Sequence, residues 1–131
     1  MIQKCPDEAS FGTVLVEAEE NLVVVNFSAA WCYPSMMLEP QVEGLAIQLQ
    51  ADQKGVVFAE VDVDENDYIS MKYNIEAMPT IAFFREKELL TSFQGADIDK
   101  VRRTIEELTA VPEGDDGDAL PTNTLTNAPT K

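Results

Sequence analysis

The chain has 131 residues, 45% of them hydrophobic, which is one domain's length with apolar material for one ordinary core. Its 24 acidic and 9 basic residues leave a net charge of −15, which argues against nucleic acid and anionic membrane surfaces as partners and favours a basic face on whatever binds it. Histidine is absent, which removes His-based zinc sites and Ser/Cys–His catalytic pairs, and 2 cysteines are too few for a disulfide framework.

No apolar run approaches the roughly 20 residues that a membrane-spanning helix needs. The segment Met1 to Glu8 has no apolar signal core. A reducing, cytoplasmic setting is the expectation.

The segment around Cys5 fits a first strand. Phe11, Val14, Leu15 and Ala18 then recur at helical spacing. Leu22 to Phe27 is a nearly unbroken apolar run rich in β-branched residues, the pattern of a central strand buried on both faces. From Pro34 to Gln50 the spacing of Met37, Leu38, Val42, Leu45, Ala46 and Leu49 predicts a helix, with Pro40 expected to kink it. Val56 to Val63 reads as another strand and Asn66 to Tyr73 as a short helix. Thr80 to Phe84, the polar turn Arg85 to Glu88, and Leu89 to Phe93 read as a hairpin. A last amphipathic helix, Asp97 to Thr109, carries Ile98, Val101, Ile105 and Leu108 on one face. Residues 111–131 are rich in Pro, Gly, Asp, Thr and Asn without hydrophobic period, which reads as a flexible acidic tail. The predicted order is βαβαβαββα. This is an α/β mixed sheet of parallel crossovers plus an antiparallel hairpin, covered by helices on both faces.

Four segments in this order carry a resemblance: Val23-Val-Val-Asn-Phe-Ser-Ala-Ala-Trp-Cys32, Phe58-Ala-Glu-Val-Asp-Val-Asp64, Tyr73-Asn-Ile-Glu-Ala-Met-Pro-Thr80 and Phe93-Gln-Gly-Ala96. Together they resemble the thioredoxin family, and most of all the small cytosolic thioredoxins of eukaryotes. The resemblance implies a thioredoxin fold over residues 1–110 and thiol–disulfide exchange as the chemistry. Met78-Pro79-Thr80 matches the family's cis-proline loop, which faces the active-site cysteine, and the backbone of Met78 is suited to pair with an extended substrate segment.

Cys32 follows a strand and opens a helix, where unpaired N–H groups and the helix dipole favour an anion. A thiolate is the attacking species in thiol–disulfide exchange, and this setting suits one. Pro34 fits the first turn, where its missing N–H costs nothing. Trp31 is expected to shield the thiol and to offer a partner an apolar ledge.

Several positions depart from the family pattern. Position 35 should carry the second cysteine, which cleaves the mixed disulfide made by the first; here it is Ser35. Ser35 can be expected to hydrogen-bond Cys32 but not to resolve the intermediate, which then waits for an external thiol such as glutathione. Asn26 stands where the family has a buried aspartate, Tyr33 replaces a glycine and Met36 a lysine. The lysine of bacterial members falls near Glu60, where eukaryotic members often have an acid. These joint departures favour natural divergence over a single engineered change.

Cys5 reads as a core thiol; the alternative is a distant resolving cysteine. Asn26-Phe-Ser28 is formally a glycosylation sequon inside a buried strand and is discounted. The acidic residues Asp62 to Asp67 read as a solvated strand end and helix cap rather than a calcium site.

Two functions compete. One is a monothiol exchange protein acting through Cys32 on protein disulfides or glutathionylated proteins. It would need no bound cofactor or metal, and would be a monomer able to pair through Cys32 when oxidised. The other is a largely non-catalytic module gripping partners in a Trp31/Tyr33/Met78 groove. An iron–sulfur role like that of monothiol glutaredoxins ranks last, since the rest of the chain and Pro34 point elsewhere.

Overall fold

A computed structural model describes residues 2–52 and 55–110; the tail expected at 111–131 lies outside the described residues. The elements are β1 (Ile2–Lys4), α1 (Glu8–Glu17), β2 (Val23–Ser28), α2 (Tyr33–Ala51), β3 (Val57–Asp62), α3 (Asp67–Lys72), β4 (Thr80–Arg85), β5 (Glu88–Gln94) and α4 (Ile98–Thr109). Their order is the one read from the sequence. Cys5 lies just past β1, where its N–H still donates to the Glu60 carbonyl at 2.9 Å.

The five strands lie in the order β1-β3-β2-β4-β5. Strands β1, β3 and β2 run parallel, and β4 and β5 complete the sheet in antiparallel register. All six residues of β2 are buried, which accounts for its lack of alternation. Its side chains still point to opposite faces in turn. Val23, Val25 and Phe27 enter a core with Phe11, Val14 and Leu15 of α1 and Ile69 of α3. Leu22 and Val24 enter a second core with Leu38, Val42 and Leu45 of α2 and Val101 and Ile105 of α4. Each such fully buried aliphatic side chain contributes about 2 kcal/mol of burial free energy.

Asp7 caps α1 through a reciprocal box: the Ser10 N–H donates to Asp7 Oδ1 at 2.8 Å and the Asp7 N–H donates to Ser10 Oγ at 3.2 Å. The Ser10 N–H bond, followed by the Ser10 hydroxyl, which donates to Asp7 Oδ1 at 2.8 Å, holds the Asp7 carboxyl below the usual carboxylate range. The hairpin turn places Glu86 and Lys87 at φ 53° and 72°, the left-handed pair that matches the twist of two antiparallel strands.

One expectation for α2 needs correction. The helix continues past Pro40, which lies inside it. Met37 is 49% exposed and does not belong to the buried stripe; Ser35 does, ahead of Leu38, Val42, Leu45 and Ala46. Apolarity chose the wrong residue, because the stripe is fixed by the 3.6-residue period and passes through a serine.

Candidate functional site

The topology gathers four loops at one end of the sheet. Parallel strands β2 and β3 finish there at Ser28 and Asp62, antiparallel β4 starts there opposite Phe27, and β5 ends there opposite Thr80. Backbone bonds tie the loops together. The Val63 N–H donates to Ser28 at 3.0 Å and the Gly95 N–H to Pro79 at 2.9 Å. Gly95 has φ 111°, a conformation that a side chain would disfavour.

Cys32 is the N-cap residue of α2, in extended conformation, and no side chain caps the helix in its place. Its own N–H donates to Ala29 at 3.0 Å. The free N–H groups of the first turn therefore face the region of the half-exposed sulfur, with no acidic residue in that turn to oppose an anion. Pro34 sits in the same turn, where no donor is lost.

Across from Cys32 the Met78–Pro79 peptide bond is cis. The Met78 carbonyl accepts the Cys32 thiol at 3.2 Å, and Thr80 Oγ1 donates to the Ala77 carbonyl at 2.6 Å. The structure thus brings Cys32, Met78, Pro79 and Thr80 together. With the Met78 carbonyl engaged by the thiol, its N–H is the group left to consider for pairing with an incoming segment.

Trp31 is 66% exposed and Tyr33 70%. The Trp31 indole is nevertheless fixed, since Nε1 donates to Asp64 Oδ2 at 2.8 Å, and the Asp64 N–H donates to Asp62 Oδ1 at 2.9 Å. The acidic segment after β3 is therefore more than a solvated cap. Asp62 shapes the loop and Asp64 anchors the tryptophan. Asn66, at the N-cap position of α3, makes no capping bond; its Nδ2 donates to the Cys5 carbonyl at 3.2 Å. These roles have no signature in composition, because they depend on a bond between residues 33 positions apart.

Ser35 does not take the place expected for it. The residue is 2% exposed and its Oγ has no hydrogen-bond partner, Cys32 included. It lies on the stripe of α2 that Leu38 and Val42 continue into the core. Asn26, also 2% exposed, lies on the same side of the sheet by strand alternation, and its Oδ1 is likewise unpaired. Where the family pattern has an acid and a thiol, this chain has two buried neutral side chains with unpaired oxygens.

Sequence reading passed over the charges beside them. Glu60, adjacent to Asn26 in register, accepts from Lys4 Nζ at 2.6 Å and from Ser28 Oγ at 3.0 Å. Lys4 also reaches Glu39 of α2 at 3.2 Å. The Glu60 side chain is only 12% exposed, so it is no surface residue. Its hydrogen bond, against a smaller opposing effect of burial, raises the Lys4 ammonium above its ordinary range. The available signal was an acid set between buried Ala59 and Val61 in a strand whose parallel neighbour offers a lysine.

Cys5 is 2% exposed within the α1/α3 core, and burial, followed by the nearby Asp7 charge, pushes its thiol up to about 11. Both cysteines are free. Among the described residues no helix is long and apolar enough to cross a membrane, and no three His, Cys, Asp or Glu side chains converge as a metal site.

Comparison with known proteins agrees with this architecture. Residues 3–107 match the sequence model of the family described as Thioredoxin. Thioredoxin of Oryctolagus cuniculus is 37% identical over 108 residues, covering 82% of this chain and 99% of its own. Human thioredoxin is 34% identical over the same length, covering 82% and 99%. The crystal structure of Fasciola hepatica thioredoxin superposes with a TM-score of 0.76 at 35% identity, covering 81% of this chain and 98% of that one. The germline-specific thioredoxin Deadhead of Drosophila gives 0.75 at 28% identity, covering 82% and 99%. On sequence, topology and the geometry of its Cys32–Pro79 corner, the chain belongs to the thioredoxin family.

Proposed function

We propose that the protein is a monothiol member of its family, acting in cell redox homeostasis by attacking disulfides and holding the product. One observation carries this reading. Cys32 lies half-exposed at a helix N-terminus, while position 35 holds a buried serine whose hydroxyl makes no bond to it.

The step is ordinary exchange. The Cys32 thiolate attacks one sulfur of a protein or glutathione mixed disulfide, a new S–S bond forms, and the other sulfur leaves as a thiolate that takes up a proton. Reversal of the adduct needs a second thiol. Ser35 cannot supply it, and Cys5 is enclosed in the core. An external thiol such as glutathione then attacks, freeing Cys32 and leaving with the partner sulfur. Trp31, Tyr33 and Pro34 form one wall for the partner and Met78 the other, backed by the buried Pro79 and Thr80, with the Met78 N–H available to an extended segment. No bound cofactor is required. The protein works as a cytoplasmic monomer that can link through Cys32 on oxidation.

The exposure of Trp31 and Tyr33 favours one second reading, a module that binds partners through the Trp31/Tyr33/Met78 groove without turnover. Two assays separate them. Under the first, purified protein removes glutathione from a glutathionylated test protein when glutathione is supplied, and insulin reduction by NADPH and thioredoxin reductase is weak or absent. Insulin reduction at the rate of a two-cysteine thioredoxin overturns it. Under the second, Cys32→Ala leaves partner binding intact.

A further inference from the structure

The surface around Cys32 combines exposed apolar groups with charge of a single sign. Trp31, Tyr33 and Met36 are 66%, 70% and 55% exposed, respectively. The segments that meet at this end of the sheet, residues 29–36, 62–67, 74–79 and 94–97, contain six acids (Asp62, Asp64, Glu65, Asp67, Glu76 and Asp97) and not one lysine or arginine. Asp64, Glu65, Asp67, Glu76 and Asp97 are exposed. Three lysines flank these segments in sequence or by contact. Lys4 is neutralised by Glu60 and Glu39, while Lys72, 5.5 Å from the Tyr73 ring centre, and Lys100, 4.6 Å from that of Phe93, keep their charge and are outnumbered by the six acids. Like charges gathered at one rim add their fields over the cleft and raise the local concentration of cations.

We propose that this site selects disulfides carried on positively charged protein segments, with the aromatic ledge of Trp31 and Tyr33 covering the apolar part of the partner and the acidic rim pairing with its lysines and arginines. The proposal rests on the exchange chemistry of Cys32 given above and adds the partner's class. It has a consequence for resolution: the same field slows an anionic thiol such as glutathione relative to a neutral or cationic one, without preventing its attack.

The test uses disulfide-linked dimers of three pentapeptides, each with a central cysteine flanked by Lys, Ser or Glu. Cys32 attack bonds one peptide and expels the other as a thiolate. The rate of adduct formation on the full chain is followed by intact mass. Each rate is divided by that of a neutral small thiol, N-acetylcysteinamide, with the same peptide, which removes intrinsic reactivity. The expected order is Lys, then Ser, then Glu, with about a tenfold span at low ionic strength. The span collapses toward one near half-molar salt, where screening acts within about 4 Å. Glu65→Gln with Glu76→Gln shrinks the span severalfold, and Glu106→Gln with Glu107→Gln, on exposed positions of α4, retains it. Normalised rates equal within about twofold, or an equal loss in the α4 variant, overturn the proposal while leaving exchange at Cys32 standing. No adduct with the neutral Ser peptide overturns the exchange reading and the partner class with it.

Discussion

Replacing Asn26 by the family's acid tests how strongly the buried interior behind the site disfavours a charge. Asn26 is 2% exposed, its Oδ1 is unpaired, and Glu60 is its neighbour across β2 and β3. In Asn26→Asp the new carboxyl begins near the ordinary value of about 3.9. Burial raises such groups by up to roughly 3 to 5 units. The Glu60 charge acts in the same direction, partly offset by Lys4 at 2.6 Å from it, so desolvation dominates. Taking about 3.5 units at 1.36 kcal/mol each gives a loss of about 5 kcal/mol once the folded carboxyl has also ionised. The sign follows from proton counting. Below about pH 4 both states hold the proton and the penalty is absent; above it the unfolded chain releases the proton first, and stability falls until the folded group follows near pH 7.5. Urea unfolding of both proteins at pH 5, 6, 7 and 8 reads this directly. The expected difference grows from about 1.5 kcal/mol at pH 5 to about 5 at pH 8, a large part of a typical total stability. A difference below about 1 kcal/mol and flat across that range refutes the reasoning.

The buried hydroxyl of Ser35 makes an opposite prediction. Ser35→Ala removes an unpaired polar atom, so stability measured in urea rises by about 1 kcal/mol, and the rate of Cys32 reaction with a neutral disulfide stays unchanged. A fall in that rate would restore the hydroxyl to the chemistry. For Cys5, whose thiol rises from 9.0 to about 11, the folded state keeps a proton that the unfolded chain loses. The resulting stability, about 2 to 3 kcal/mol, is complete below pH 9 and disappears by about pH 11. Unfolding followed across that interval shows the decline in the unsubstituted protein and less of it in Cys5→Ala. Iodoacetamide at neutral pH alkylates Cys32 in the native protein and reaches Cys5 only after denaturation; equal labelling contradicts its enclosure.

The fold was legible because local patterns and global topology agree. The β-branched run at β2, the polar turn at Arg85 to Glu88 and the stripe on α4 each name their element unaided. The nucleophile turn was legible too, since Trp31, Cys32 and Pro34 are adjacent in the chain. What escaped depends on pairings between distant positions or on direction. Trp31 with Asp64, and Lys4 with Glu60 and Ser28, bring together residues from separate strands and loops. Ser35 was expected to bond Cys32 because residues three apart on a helix are neighbours, yet it falls on the buried stripe that Leu38 and Val42 continue, and its Oγ makes no bond to the thiol. Met37 was misplaced for the converse reason, an apolar residue on the outward face.

On the function proposed above, Cys32 attacks and then cannot let go unaided. The most direct measurement is intact mass of the full chain after brief exposure to bis(2-hydroxyethyl) disulfide and removal of the reagent. A single adduct at Cys32 is expected, stable for hours in thiol-free buffer and lost within minutes of adding a reducing thiol. Spontaneous loss of the adduct, with appearance of a Cys5–Cys32 disulfide or of free thiol, would contradict it.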